Sequence, residues 1–289
     1  MPAFFPSLLP DELLYSVVAR YADMVAYPSQ NALLHDVFGA STARDMVDLP
    51  SYLDAFVDRL PVGHRHTAQQ LIDSATLLPY YRPFASQEIV KSTEASMRRH
   101  QRVGARQILQ AGGGLVRAGD RFRFCSTCVE ADADQYGAPY WRRVHQLPGV
   151  LICPLHRLAL FESSVPRRLL RVFRSCASAL TEEVAQIRFS SEHVSALHTL
   201  AVGSEWLLLH RPKAHSPDVL RTRLDVFLTA AGWMTKKRYV RVSQLKSAVS
   251  TQIPPDLLLR LGCHPTADGD PFGWVDNLLR VNPDPARVW

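Results

Sequence analysis

Apolar positions recur at helical spacing through the first hundred residues. In "PDELLYSVVARYADMV" (10–25), Leu13, Val17, Val18 and Tyr21 share one face of a predicted helix that opens on proline and acidic side chains. "SQNALLHDVFGAS" (29–41) repeats the pattern with Leu33, Leu34, Val37 and Phe38, and Gly39 supplies a stop. "SYLDAFVDRLP" (51–61) and "TAQQLIDSATLLPYYRPF" (67–84) follow, each punctuated by proline. Short helices joined by tight turns suit a helix-turn-helix unit, and they suit a generic helical bundle equally well.

"EASMRRHQRVGARQIL" (94–109) predicts a basic helix, and the glycine-rich "AGGGLVRAGD" (111–120) breaks it. "VPRRLLRVFRS" (165–175) is again rich in Arg, and 182–210 reads as helical. "SPDVLRTRLDVFLTAAGW" (216–233) has helical spacing from Val219 to Phe227 and stops at Gly232. A short basic β-prone run, "KKRYVRV" (236–242), then precedes helices at 243–249, 255–262 and 271–280. Helix, basic strand, helix is compatible with a winged helix. The expected fold is mainly α. A helix-turn-helix-like N-terminal domain covers 1–110, a Cys3His zinc-finger module covers 111–165, and an Arg-rich connector with a C-terminal helical DNA-binding region covers 166–289.

Composition changes this picture through its charge. The first sixty residues hold three Arg against eight Asp or Glu, whereas the remainder holds thirty cations against nineteen anions. The cations are 28 Arg and only 5 Lys, and Arg presents a planar fork suited to phosphate. A genome rich in G and C produces the same bias, so the skew alone does not choose. No apolar run approaches the roughly 18 residues of a membrane span, and the opening lacks the shape of a signal peptide, so a cytoplasmic protein is expected. In a reducing compartment the five cysteines favour metal ligation or burial over disulfides.

Four residues carry candidate chemistry. Cys125 and Cys128 form C-x2-C, and Cys153 with His156 forms C-x2-H further along. Two such turns direct four ligands at one point, the pattern of a tetrahedral Cys3His zinc site; the alternative is three core cysteines and a surface histidine. Four protein ligands leave no position for water or substrate, so such a zinc is structural. Glu130, Asp132 and Asp134 lie near in sequence, but no H-E-x-x-H or H-x-E pattern accompanies them. Cys176 and Cys263 belong to no pair, although Cys263 with His264 leaves a second site open. Between the two knuckles Arg142 and Arg143 follow Tyr140 and Trp141, either as phosphate contacts or as a solvated basic face over an aromatic core. The DNA-binding candidates are Arg98, Arg99, Arg102, Arg142, Arg143, Lys236, Lys237, Arg238 and Arg241. "AGGGLVRAG" is no phosphate-binding loop, because no Gly-Lys-Ser/Thr follows.

The segment "FCSTCVEADADQYGAPYWRRVHQLPGVLICPLHRLAL" resembles the zinc-finger region of the TniQ/TnsD family of transposon target-selection proteins. "PSLLPDELLYSVVARYA" and "TLLPYYRPF" are similar to further family signatures, and the likeness runs from residue 6 to about 162. Weaker likeness over 216–289 points to the longer TnsD-type members, so a natural chain that continues past Trp289 is expected. The resemblance implies a non-enzymatic, nucleoid-associated bacterial adaptor that binds double-stranded target DNA and recruits an AAA+ ATPase of the TnsC type, and through it the transposase. It also implies one structural zinc. Some family members instead dock on an RNA-guided complex. Under this resemblance the acidic N-terminal end, with Asp11, Glu12, Asp36, Asp45 and Asp48, is expected to meet the ATPase. The competing readings are a zinc-containing helix-turn-helix transcription regulator and a metal-dependent nuclease.

Overall fold

The computed structural model describes residues 2–40, 47–99, 103–111, 119–167, 173–235, 237, 239–261 and 269–279. Arg102, Lys236, Arg238, Asp45, Cys263 and His264 therefore lie outside the described residues. The fold is mainly helical.

The N-terminal helices are α1 (Leu14–Val25), α2 (Gln30–Phe38), α3 (Leu53–Arg59), α4 (Ala68–Ala75), α5 (Leu78–Tyr81), α6 (Gln87–Arg98) and α7 (Ala105–Ala111). α2 begins and ends as its sequence predicts. Ser29 Oγ accepts from the N–H of Ala32, and Gly39 closes the helix at φ 69°, a conformation that disfavours a β-carbon. Thr67 and Gln70 form a reciprocal capping box at the start of α4. The helix expected over 67–84 breaks after Ala75, where Thr76 Oγ1 bonds back to Ile72 O at 2.6 Å and Pro79 opens the next turn. The basic helix expected over 94–109 is the end of α6 followed by α7.

α1 starts four residues later than the sequence pattern predicts. Asp11 sits at φ 56°, and Glu12 forms an antiparallel bridge with Arg142. A tertiary partner has thus taken the residues that would have made the helix's acidic first turn.

Three short strands form an antiparallel sheet in the order β1 (Arg121–Phe124), β2 (Phe161–Pro166), β3 (Ala185–Gln186). Its register pairs Phe124 with Phe161, whose rings stack at 5.5 Å. α8 (Ser126–Tyr136) leaves the end of β1, and α9 (Cys176–Ala179) follows β2. The helix predicted over 182–210 is realised only as α10 (Val194–His210), after β3 and a one-turn 3-10 segment.

α11 (Pro217–Ala230), α12 (Val242–Gln252), α13 (Pro255–Arg260) and α14 (Gly273–Leu279) gather around Leu228, Leu245, Leu258, Phe272 and Val275. The strand expected at 236–242 amounts, among the described residues, to the single bridge Met234–Val240.

A separate, larger core gathers buried residues from Leu13, just before α1, to Leu257 in α13. It is continuous across residues 110 and 165, the positions expected to divide the chain. Trp141 is wholly buried at its centre, stacked on Phe122 at 4.8 Å, with its indole N–H bonded to Arg174 O. Removing such a ring, about 200 Å² of surface, from water contributes roughly 5 kcal/mol before entropic costs.

Candidate metal centre

β1 delivers Cys125 to the N-cap of α8, and Cys128 follows in the first turn of that helix. Both sulfurs therefore lie at the positive end of the helix dipole, which favours thiolate. The second knuckle is a tight hairpin. Ile152 pairs with Ala159, the Cys153 N–H bonds to Leu158 O at 2.8 Å, and the Arg157 N–H returns to Cys153 O at 2.9 Å. Arg157 takes φ 55° to complete this turn. The His156 N–H points at Cys153 Sγ, 3.5 Å away. From outside, His198 of α10 meets Pro154 O at 2.9 Å and braces the knuckle.

Cys125, Cys128, Cys153 and His156 bring their ligand atoms within 4.8 Å of one another. The Nδ1 of His156 is 3.5 Å from Cys125 Sγ, 3.4 Å from Cys128 Sγ and 3.6 Å from Cys153 Sγ, and Cys128 and Cys153 sulfurs are 3.7 Å apart. A tetrahedron built on Zn–S of about 2.3 Å and Zn–N of about 2.0–2.1 Å has S–S edges of about 3.8 Å and S–N edges of about 3.5 Å. The four residues fit a tetrahedral dication within a few tenths of an ångström. A sulfur pair at 3.7 Å is far outside the roughly 2.05 Å of a disulfide, and all three cysteines are free.

Charge leads to the same fit. Hydrogen bonds from Cys128 and Cys153 hold the Cys125 thiol far below its ordinary range. Cys128 and Cys153 are pushed up by their hydrogen bonds to Cys125. The three sulfurs share hydrogen bonds with one another, and a bound dication would stabilise all three as thiolates. His145, which the sequence reading passed over, lies 3.9 Å from Cys128 Sγ, and burial pushes its imidazole down to about 3. It is a neutral neighbour of the cluster. Its only sequence signal is its place in "HQLPG".

Arg142 and Arg143 occupy positions that their expected role does not fit. Arg143 is 3% exposed. Its Nε donates to Asp11 Oδ1 at 3.0 Å, and its Nη1 reaches Asp73 O and Thr76 O at 3.2 Å. Arg142 grips Asp132 with two nitrogens and lies over the Tyr140 ring at 5.4 Å. Both guanidiniums are turned into the protein, because bidentate carboxylates and carbonyls wait there; Arg143 keeps no face for a phosphate.

The acidic candidates are wired in the same way. Glu12, wholly buried, accepts from Arg20, Ser16 Oγ and Leu9 N–H. Asp48 is held between Arg106 and Arg167. Burial works against its ionisation, yet the two guanidiniums keep its carboxyl below the ordinary range. Burial pushes Asp11 up and Arg143 down, against their mutual attraction. Asp36 accepts from the Tyr27 hydroxyl. Glu12, Asp11 and Asp48 are therefore internal struts rather than a contact surface.

Among the described residues, four cation candidates remain on the outside. Arg98 and Arg99, 49% and 82% exposed, flank Asp54, and Lys237 and Arg241 are exposed beside α12.

The TniQ family model matches residues 3–160, which hold α1–α8 and all four ligands. The chain belongs to the TniQ family. The Escherichia coli transposon Tn7 transposition protein TnsD is 31% identical to it over 157 residues, 54% of this chain and 31% of that protein. The match thus spans about a third of that relative's length.

Proposed function

We propose that this protein selects target sites in DNA transposition, as an adaptor that binds target DNA and recruits an AAA+ ATPase regulator of the TnsC type. The observation that carries the reading is the family match over 3–160, together with a relative named as a Tn7 transposition protein. The cluster supports a non-catalytic role: four ligands at tetrahedral spacing, three of them buried, leave a bound metal no open position. We assign zinc to it, with Cys125, Cys128, Cys153 and His156 as ligands; the metal supplies cross-linking of β1, α8 and the 151–160 hairpin.

DNA contact is assigned to cations that face solvent. Lys237 and Arg241 flank the Met234–Val240 bridge and lead into α12, whose outer face offers Ser243, Gln244 and Ser247. Arg98 and Arg99 form a second patch. Arg143, buried against Asp11, is left out of this proposed interface, and Arg142, half-buried against Asp132, is not among its first candidates.

Footprinting on candidate attachment-site DNA, with and without the ATPase, tests the proposal. Protection of a discrete site and ATPase retention on that DNA are the expected results. An intact, metal-loaded protein that protects no site and retains no ATPase would refute the adaptor role.

A further inference from the structure

Thirty consecutive residues, 226–255, carry five Lys or Arg and no Asp or Glu. Two elements present this stretch to solvent. The first is a small hairpin: Met234 bridges Val240, the Arg241 N–H donates to Trp233 O at 2.8 Å, and the Thr235 N–H donates to Tyr239 O at 2.9 Å. Lys237 and Tyr239 are exposed on its turn, Tyr239 by 70%. The second is α12, which Arg241 precedes directly. Leu245 is buried in the second core and Val249 packs against it, so Gln244, Ser247 and Thr251 face outward together.

That outward face differs from its neighbours. α11 shows Val226 and Phe227 to solvent and α13 shows Asp256 and Leu259, whereas α12 shows neutral hydrogen-bonding side chains beside Arg241. Lys246 leaves the helix about 200° around from Gln244. It holds Asp270 and Asp276 at 2.6 Å each, so those carboxylates are kept away from the outward face. An apolar protein segment finds no anchor on such a surface, and phosphate alone has no use for Gln244 or Ser247. Base edges in the major groove use both, because Gln makes two hydrogen bonds to adenine N6 and N7 and a Ser hydroxyl can donate or accept. At 1.5 Å per residue α12 is about 16 Å long, and the roughly 12 Å width of the major groove admits a helix.

Resting on the DNA-binding reading above, we propose that α12 lies in the major groove of the target duplex and reads its sequence through Gln244 and Ser247. Gln244 takes an adenine, its side-chain carbonyl accepting from N6 and its amide donating to N7. Ser247, one turn further on, meets a neighbouring base pair. Lys237 and Arg241 hold backbone phosphates and carry no sequence information.

A duplex library with a randomised core, selected by the full chain and sequenced in the bound fraction, tests this. The parent protein is expected to enrich a motif that contains adenine. Gln244→Ala should lower the preference for that adenine about tenfold and leave affinity for unselected duplex within about twofold. Ser247→Ala should relax a position next to it. Lys237→Ala and Arg241→Ala should weaken selected and unselected duplexes alike and leave the motif unchanged. A second measurement needs no variant: 7-deaza-adenine in the motif removes the N7 acceptor and should weaken parent binding about fivefold. Circular dichroism and metal content verify that each variant folds. An unchanged motif in both Gln244→Ala and Ser247→Ala, or full affinity for the 7-deaza duplex, would overturn the assignment of α12 while DNA contact through Lys237 and Arg241 stands. Tight binding with no enriched motif does the same. A parent protein that binds no duplex at all overturns the DNA-binding reading itself, and the role of α12 with it.

Discussion

Cys125, Cys128, Cys153 and His156 converge from two distant segments, so each ligand closes a long loop as well as a coordination shell. Cys125→Ser and His156→Ala are expected to lose zinc and misfold, checked by elemental analysis and circular dichroism; a metal-free protein with full helical signal would contradict the assignment. Metal binding to such sites is worth about 10–16 kcal/mol in small fingers, so chelation should unfold the 121–160 region together with the N-terminal helices bonded to it.

The buried ion pairs make a different prediction. Arg143→Ala leaves Asp11 buried without its partner and is expected to cost about 3–5 kcal/mol in denaturant unfolding, whereas Arg99→Ala should change stability by less than about 0.5 kcal/mol. Asp48 connects stability to pH. Its folded-state acidity is below the unfolded value of about 3.9, so its contribution is complete above that value and is lost as pH falls through the folded one. Asp48→Asn should therefore lower Tm at neutral pH, and the gap to the parent protein should narrow below about pH 4.

Helix ends show where local rules hold. Thr67→Ala removes half of a capping box and should cost about 1 kcal/mol. Gly39 is less forgiving, because its φ of 69° strains any side chain there, and a β-carbon would also have to displace the Arg59 guanidinium. α1 shows where local rules fail. Its acidic prelude, Asp11 and Glu12, looks like a dipole-complementing first turn, but Asp11 O and its carboxylate receive the N–H groups of Arg143 and Val144. α10 departs from the pattern in the opposite direction. Its apolar residues are not confined to one face: it buries Leu197, Ala201 and Leu208 while Trp206 and Leu209 remain half exposed.

The N-terminal helices and the metal knuckles stand or fall together. The Leu13 N–H bonds to Trp141 O, the Trp141 N–H to Ser16 Oγ, and the Tyr140 hydroxyl to Pro10 O. Deleting residues 1–60 is therefore expected to unfold the metal centre and release its zinc, so the acidic end cannot be removed as a detachable module. Recruitment of the ATPase is better probed by point changes at exposed acids such as Asp23 and Asp58. For DNA, affinity should fall steeply with salt, and Lys237→Ala with Arg241→Ala should each lower the salt slope by about one. Salt-insensitive binding would argue against phosphate contact.

The ligand set, most of the helices and the family likeness were legible in the linear sequence, for one physical reason: each depends on spacing over a few residues or on a contiguous motif. C-x2-C and C-x2-H turns place their ligands by local backbone geometry, and Ser29, Gly39 and Thr67 act within one helical turn. The fate of charged side chains was not legible. "YWRR" reads as a basic surface, and the aspartates before residue 50 read as an acidic one, because sequence records a charge without its partner. Arg143 meets Asp11 and Arg167 meets Asp48 across more than a hundred residues. Burial and pairing are properties of the assembled core, so only the tertiary structure shows Arg143, Asp11, Glu12 and Asp48 tied to partners inside the protein.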